Sequence, residues 1–242
     1  MIADYFPPGV RGKALATYNA GVSLGTGFAM VLGGMVITYV STSERHVLPV
    51  IGSVAAWQYV FFLVALPGLL VVLLMLTVRE PARQETSSAA QNLSFREVLS
   101  FLHVRRRIYV PLFLGMSVNT IVGYALFSWT PTSFARVHGW SMGDIGLGYG
   151  LIILATGPLG VFLAGGLIDK LHRAGQQNAE LVVALLSIAI CLPGVVYLPL
   201  ASTGQGALMA MIPASIGPAM TTASGSIAVI NVTPNQIRGQ TM

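Results

Sequence analysis

The chain has 242 residues, of which 54% are hydrophobic and 9% charged, against about 25% charged in an average soluble domain. That balance excludes an ordinary water-soluble protein, because the apolar residues run in long uncharged stretches instead of stripes or alternation. The net charge of +5 comes from basic residues set between apolar segments, so it points to membrane topology and away from nucleic acid.

A helix needs about 20 mainly apolar residues to cross the hydrocarbon layer. Six segments reach that length without Asp, Glu, Lys, Arg or His, at 14–40, 57–78, 109–135, 145–168, 181–201 and 207–230. Barrel strands would alternate polar and apolar residues, so the expected fold class is all-α, a polytopic membrane bundle with six transmembrane helices. Met1 to Arg11 lacks the basic stretch and apolar core of a signal peptide, and the spans themselves are expected to direct insertion.

In the first span Gly21 and Gly25 form a small-xxx-small pair suited to close helix packing. Tyr18, Asn19 and Ser23 are polar groups at membrane depth, where such groups face protein or water. The loop from Ser41 to Ala56 carries Glu44 and Arg45 and no catalytic constellation. The polar stretch from Arg79 to Arg107 is rich in Ser, Ala and Gln and reads as a flexible connection between two bundles. Within it, Ser94-Phe95-Arg96-Glu97 has a capping-box pattern, followed by Val98, Leu99 and Leu102 at helical spacing. This predicts a short amphipathic helix on the inner membrane face, with Arg105, Arg106 and Arg107 as a charged anchor.

The third span carries Asn119 and Tyr124, and Trp129 and Trp140 flank its outer end, where indole rings favour the interface. The fourth holds Gly146, Gly148, Gly150, Gly157, Gly160, Gly165, Gly166 and Pro158, a composition that permits close packing and bending. Asp144 and Asp169 sit at its ends as solvated or capping carboxylates. Cys191, the single cysteine, excludes a disulfide framework and reads as a small buried hydrophobe. Thr156, Ser215, Thr221, Thr222 and Ser224 complete the polar groups within spans, read as cavity groups or interhelical hydrogen-bond partners. His46, His103, His138 and His172 lie in separate loops and suggest no metal site, and nothing calls for a cofactor.

Arg11, Lys13, Arg79, Arg83, Arg96, Arg105, Arg106, Arg107, Lys170, Arg173 and Arg238 fall on one side of the expected membrane, and Arg45 and Arg136 on the other. Basic residues near span ends stay in the cytoplasm, so both chain ends are expected there, as an even number of spans requires.

The two ends of the chain also resemble each other. Pro7-Pro8-Gly9-Val10-Arg11-Gly12-Lys13 and Pro234-Asn235-Gln236-Ile237-Arg238-Gly239-Gln240 each place Arg-Gly after a proline and three residues, with six expected spans between them. Parallel repeats of a two-bundle transporter place equivalent loops in this way. Arg11-Gly12-Lys13-Ala14 followed by Gly21, Gly25, Gly27, Gly33 and Gly34 resembles the fifth helix of the major facilitator superfamily. Trp57-Gln58-Tyr59-Val60-Phe61-Phe62, Pro67-Gly68-Leu69-Leu70 and Arg79-Glu80-Pro81-Ala82-Arg83 are similar to its sixth. The run Trp129-Thr130-Pro131-Thr132-Ser133-Phe134-Ala135-Arg136-Val137-His138-Gly139-Trp140-Ser141 resembles its seventh helix and outer loop, closest to spinster-like and anion:cation-symporter-like members. Gly165-Gly166-Leu167-Ile168-Asp169-Lys170 resembles the second-half copy of the family's Gly-x-Leu-Ala-Asp-Arg gating loop, with Ile168 and Lys170 as substitutions and His172 where glycine is usual.

The resemblance implies that the chain runs from the end of the fourth helix to the loop after the tenth. Residues 1–78 would be the last two helices of the N-terminal bundle, 79–107 the central cytoplasmic loop, and 108–242 the first four helices of the C-terminal bundle. It further implies a secondary transporter of small organic solutes in an inner or plasma membrane, partnered by the lipid bilayer, a small-molecule substrate and the remaining helices of the fold. Asn119, Tyr124, Tyr18 and Asn19 are the expected substrate-cavity residues; Asp169, Lys170, Arg11, Gly12, Arg238 and Gly239 are the expected gating-loop residues. No span holds Asp, Glu, His, Lys or Arg, so ion-coupling groups are expected in other helices, or transport is uncoupled. The same absence argues against an intramembrane enzyme. The alternative is a non-transporting membrane subunit or truncated paralogue that associates with other helices.

Overall fold

The computed structural model describes residues 11–49, 52–78 and 95–233, with side chains over 20–49, 52–78 and 96–233. The elements in chain order are α1 (Arg11–Val40), β1 (Arg45–Leu48), β2 (Gly52–Ala55), α2 (Ala56–Met75), α3 (Phe95–Val104), α4 (Arg106–His138), α5 (Met142–Arg173), α6 (Ala179–Tyr197) and α7 (Gly204–Val232), with a short 3-10 turn at Leu198–Leu200. The six long helices overlie the six expected spans. Five of them, α1, α2, α4, α5 and α6 with its turn, are long and apolar enough to cross a membrane. In α7, of 29 residues, Gly, Ser, Thr and Pro dilute the apolarity, and many of these small residues are buried against other helices.

Helix ends follow local chemistry. Gly139 ends α4 at φ 67, a left-handed conformation that costs glycine least. Ser141 then caps α5, its Oγ accepting from the Asp144 N–H at 3.1 Å and donating to the Asp144 carboxylate at 2.6 Å; Asp144 is therefore a capping carboxylate. Thr203 accepts from the Gly206 N–H to start α7. The outer loop holds a feature the apolar runs did not suggest, an antiparallel hairpin pairing Arg45 with Ala55 through Leu48 with Gly52. His46 ties it down, bonding the Val40 carbonyl and stacking on Tyr59 at 4.5 Å.

The expected amphipathic helix is α3. Val98 is buried, while Leu99, expected on the same apolar face, is half exposed. Phe101 packs edge-on to Tyr109 at 6.0 Å and lies under the Arg105 guanidinium at 4.8 Å. Ser94 of the capping-box pattern lies outside the described residues. Tyr109 is buried and ties the start of α4 to the end of α7, bonding the Val232 carbonyl at 3.1 Å and the Thr233 hydroxyl at 3.0 Å.

Helices α5, α6 and α7 form one packed unit, with α4 alongside α7 and α1 on the far side of α5. One core cluster at the start of α6 joins Ala164, Ile168, Ala179, Val183 and Met220. Another, at the opposite end, joins Phe134, Ile145, Ala201 and Ala207, with Trp140 against them. Trp140 thus wedges between helix ends, its ring 5.2 Å from Phe134 and in contact range of Gly204, and departs from the anchoring role expected of it; Trp129 is 69% exposed, as an interfacial anchor would be. Backbones approach closely in the α6–α7 pair. A Cβ at Gly217 would meet Cys191 and sit 2.6 Å from the Ser187 carbonyl. Pro218 has no N–H to return to the Ala214 carbonyl, and the half-buried Cys191 thiol points at that oxygen from 3.7 Å. The side chain read as a small hydrophobe thus also serves a freed backbone group.

Replacing Gly217 with valine is expected to lower the thermal unfolding midpoint of the detergent-solubilised protein by about 5–10 °C. The obstructing atom is a backbone carbonyl, which cannot rotate away. An unchanged midpoint in circular dichroism would show that the pair separates freely.

Candidate transport cavity

The contact between α1 and α5 runs antiparallel, and small residues meet along its length. A Cβ at Gly34 would lie 2.9 Å from the Gly146 Cα, one at Gly27 would lie 2.9 Å from the Leu154 nitrogen, and one at Gly157 would lie 2.6 Å from the Ser23 Cβ. Gly143 faces Thr38 at the far end. From Ser23 to Thr38 the contact covers about 22 Å at 1.5 Å per residue. The pair expected to pack, Gly21 and Gly25, is not part of it; no described residue comes within 4 Å of a Cβ at either position. Spacing of four marks one face of a helix but not which face meets a partner, and Ser23, Gly27, Gly34 and Thr38 occupy a different one.

Beside this contact, α1, α4, α5 and α7 line an open cavity of ≈ 190 Å³. Val22, Ser23 and Thr26 come from α1; Gly123, Leu126 and Phe127 from α4; Tyr149, Ile153, Thr156 and Gly157 from α5; Ala214, Ser215, Pro218 and Ala219 from α7. Each set recurs at three or four residues, the spacing of one helical face. A second recess of ≈ 160 Å³ shares Val22, Ser23 and Ala219 and adds Val161, Thr222, Ala223 and Ser226. Among the described residues neither wall carries a charged group, and hydroxyls on apolar surroundings make up the chemistry they supply.

Most of these hydroxyls are committed. Thr26 donates to the Val22 carbonyl at 2.9 Å, Thr156 to Ile152 at 2.7 Å and Thr222 to Pro218 at 2.9 Å. Tyr149 differs: it is 4% exposed, and its hydroxyl has no hydrogen-bond partner among the described residues. Leaving a buried polar group unpaired costs about 1–3 kcal/mol, so this hydroxyl is poised to receive a partner, whereas Ser215, which also makes no hydrogen bond among the described residues, is only half-buried. The sequence reading passed over Tyr149, set among glycines; the seven-residue interval to Thr156, two turns on the same face, was the available signal.

Of the expected cavity residues, Asn119 is half-buried and turned into α7, its Nδ2 donating to Thr222 at 3.1 Å and to the Pro218 carbonyl at 3.4 Å. Tyr124 is 71% exposed, while its neighbour Gly123 lines the cavity. Tyr18 and Asn19 lie in α1, but their side chains are outside the described set. Ser187 and Thr221 form an interhelical pair at 2.5 Å, and Ser224 donates to Thr221 within α7.

Among the expected gating residues, Asp169 and Lys170 are exposed at the end of α5. Arg173 donates to the Asp169 carbonyl at 3.2 Å. The same end is held by Glu180, which accepts from Asn231 at the end of α7 and lies 3.4 Å from His172. Three helix ends therefore meet at one carboxylate. Arg11 and Gly12 open α1, their side chains outside the described set, and Arg238 and Gly239 lie outside the described residues.

Known proteins share this architecture. A solved structure of a bacterial homologue of the human lysosomal transporter Spinster, inward-facing and unoccupied, matches with a TM-score of 0.70 at 24% identity, covering 99% of this chain and 53% of that one. The inward-facing, occupied form of such a homologue matches at 0.66, covering 99% and 52%. An MFS-type efflux pump of Mycolicibacterium smegmatis is 26% identical over 195 residues, 78% of this chain and 40% of that protein. The chain thus spans about half or less of the length of these relatives. The sequence model of the Major Facilitator Superfamily matches residues 1–242, and the chain belongs to that superfamily.

Proposed function

We propose that this protein moves small organic solutes across the membrane as a secondary transporter, by alternating access around the cavity between α1, α4, α5 and α7. The observation that carries the reading is the uncharged, hydroxyl-bearing cavity beside a tight, glycine-lined contact of two helices. In this reading α1 and α2 belong to one bundle, with residues 1–78, and α4 to α7 to the other, with residues 108–242, joined by 79–107. Further helices of the same fold, in the same polypeptide or another subunit, complete the cavity.

The basic residues favour an orientation with Arg11, Arg105 to Arg107, Lys170 and Arg238 in the cytoplasm. The α1–α5 contact from Ser23 to Thr38 then closes the outer half, an inward-facing arrangement like that named for the Spinster homologue. Tyr18 and Asn19 precede Ser23 by about one turn and Asn119 precedes Gly123 by one, so these residues extend the cavity wall inward, with Tyr124 facing the added helices. Asp169 and Lys170, with Arg11, Gly12, Arg238 and Gly239, form the inner loops whose contacts change as the bundles rock.

Ser215→Cys in a Cys191→Ala background tests the reading. In the full-length transporter, a membrane-impermeant maleimide is expected to label this thiol from the cytoplasmic face of inside-out vesicles at least about tenfold faster than from the outer face. Absence of labelling from both faces would remove the cavity from the transport path.

A further inference from the structure

We propose that the Tyr149 hydroxyl is the donor that selects ligands in this cavity, and that the ligand carries a carbonyl or ether oxygen on a largely apolar body. The inference rests on the cavity being a binding site, as argued above. Three observations specify the chemistry. Tyr149 is 4% exposed, lines the cavity and makes no hydrogen bond among the described residues. Thr26 and Thr156 on the same wall have donated their protons to carbonyls of their own helices. Around them Leu126, Phe127 and Ile153 offer apolar surface.

A phenol donates one proton and accepts weakly, so a free phenol in an apolar wall discriminates for ligands that carry an acceptor. An acceptor-free hydrocarbon would leave the phenol unpaired. A molecule with one well-placed oxygen satisfies the hydroxyl and gives apolar surface to the lining around it.

Benzophenone and diphenylmethane form a matched probe pair, alike in size and differing by one carbonyl, and excited benzophenone also inserts into nearby C–H bonds. In the full-length protein, benzophenone is expected to photolabel cavity residues found by mass spectrometry. Diphenylmethane should compete about tenfold more weakly than unexcited benzophenone, the factor one hydrogen bond supplies. Tyr149→Phe should bring that ratio to about one without lowering the unfolding midpoint, since the hydroxyl bonds no described residue and its removal relieves an unpaired buried group. A ratio that survives Tyr149→Phe overturns the inference, as does a variant that weakens both probes equally with a lowered midpoint. Ser215→Phe, which fills the cavity, separates this from the reading beneath it. If it abolishes cavity labelling while Tyr149→Phe keeps the ratio, the cavity stands and the role of Tyr149 falls. If labelling ignores Ser215→Phe and maps outside the cavity, the cavity reading itself falls.

Discussion

Oxidising the double variant Thr38→Cys with Gly143→Cys is expected to stop transport, to below about one-twentieth of the starting rate, and reduction is expected to restore it. The geometry for the cross-link is already present. A Cβ built at Gly143 lies 3.6 Å from the Thr38 Cβ, inside the range of about 3.5–4.5 Å that a disulfide spans. These two positions sit at the end of the α1–α5 contact away from the cavity. Under alternating access, α1 and α5 belong to different bundles, and their outer ends must part once in every cycle. A covalent link there forbids that step while leaving the fold intact. Cys191, half-buried, is replaced by alanine so that no third thiol competes. Each single variant, treated with the same oxidant, should transport at its untreated rate. Uptake into proteoliposomes before and after reduction decides the matter; undiminished transport in the cross-linked protein would mean that α1 and α5 never separate.

The opposite perturbation, preventing closure, comes from Gly146→Leu. A Cβ at this position would sit 2.7 Å from the Gly34 Cα and 2.8 Å from the Met30 carbonyl. Both atoms are backbone, so no side chain can swing aside and the helices themselves must move apart. Overpacking of this kind costs about 1–3 kcal/mol or more, which shifts a two-state equilibrium about 5–150-fold. The shift disfavours the state in which the α1–α5 contact is closed. Transport is expected to fall at least about tenfold, and the Thr38–Gly143 cysteine pair introduced into this background should cross-link at a correspondingly lower rate. Gly148→Leu serves as the comparison, since a Cβ there meets the Leu208 methyls at 3.3 and 3.4 Å, the far end of a side chain that can yield. If both leucine variants transport alike, the glycines along the contact carry no conformational role.

The membrane class, the helical fold and the number of long helices were legible in the sequence because each depends on a local property. An uncharged run of about 20 residues has one stable arrangement in hydrocarbon, a helix that satisfies its own backbone. The short helix α3 was legible for a similar reason, since a polar-flanked apolar spacing specifies one amphipathic face.

Partner choice was not legible in the same way. Gly21 and Gly25 have the spacing of a packing pair, yet Gly27 and Gly34 meet Gly146 and Gly150 across α1 and α5. Which face of a helix packs is settled by the shape of the opposing helix, and that helix lies more than 100 residues away in the chain. Asn119 bonds Thr222 and the Pro218 carbonyl on α7, and Tyr149, passed over among glycines, is the buried phenol that lines the cavity. In a bilayer almost every residue is apolar, so apolarity cannot separate lipid-facing from helix-facing positions. By itself, then, the sequence determined that the chain crosses a membrane as helices and where those helices begin and end, because hydrocarbon imposes those features one segment at a time. Only the tertiary structure decided which glycines touch and which buried phenol on the cavity wall bonds none of the described residues, because both are properties of helices brought together from distant parts of the chain.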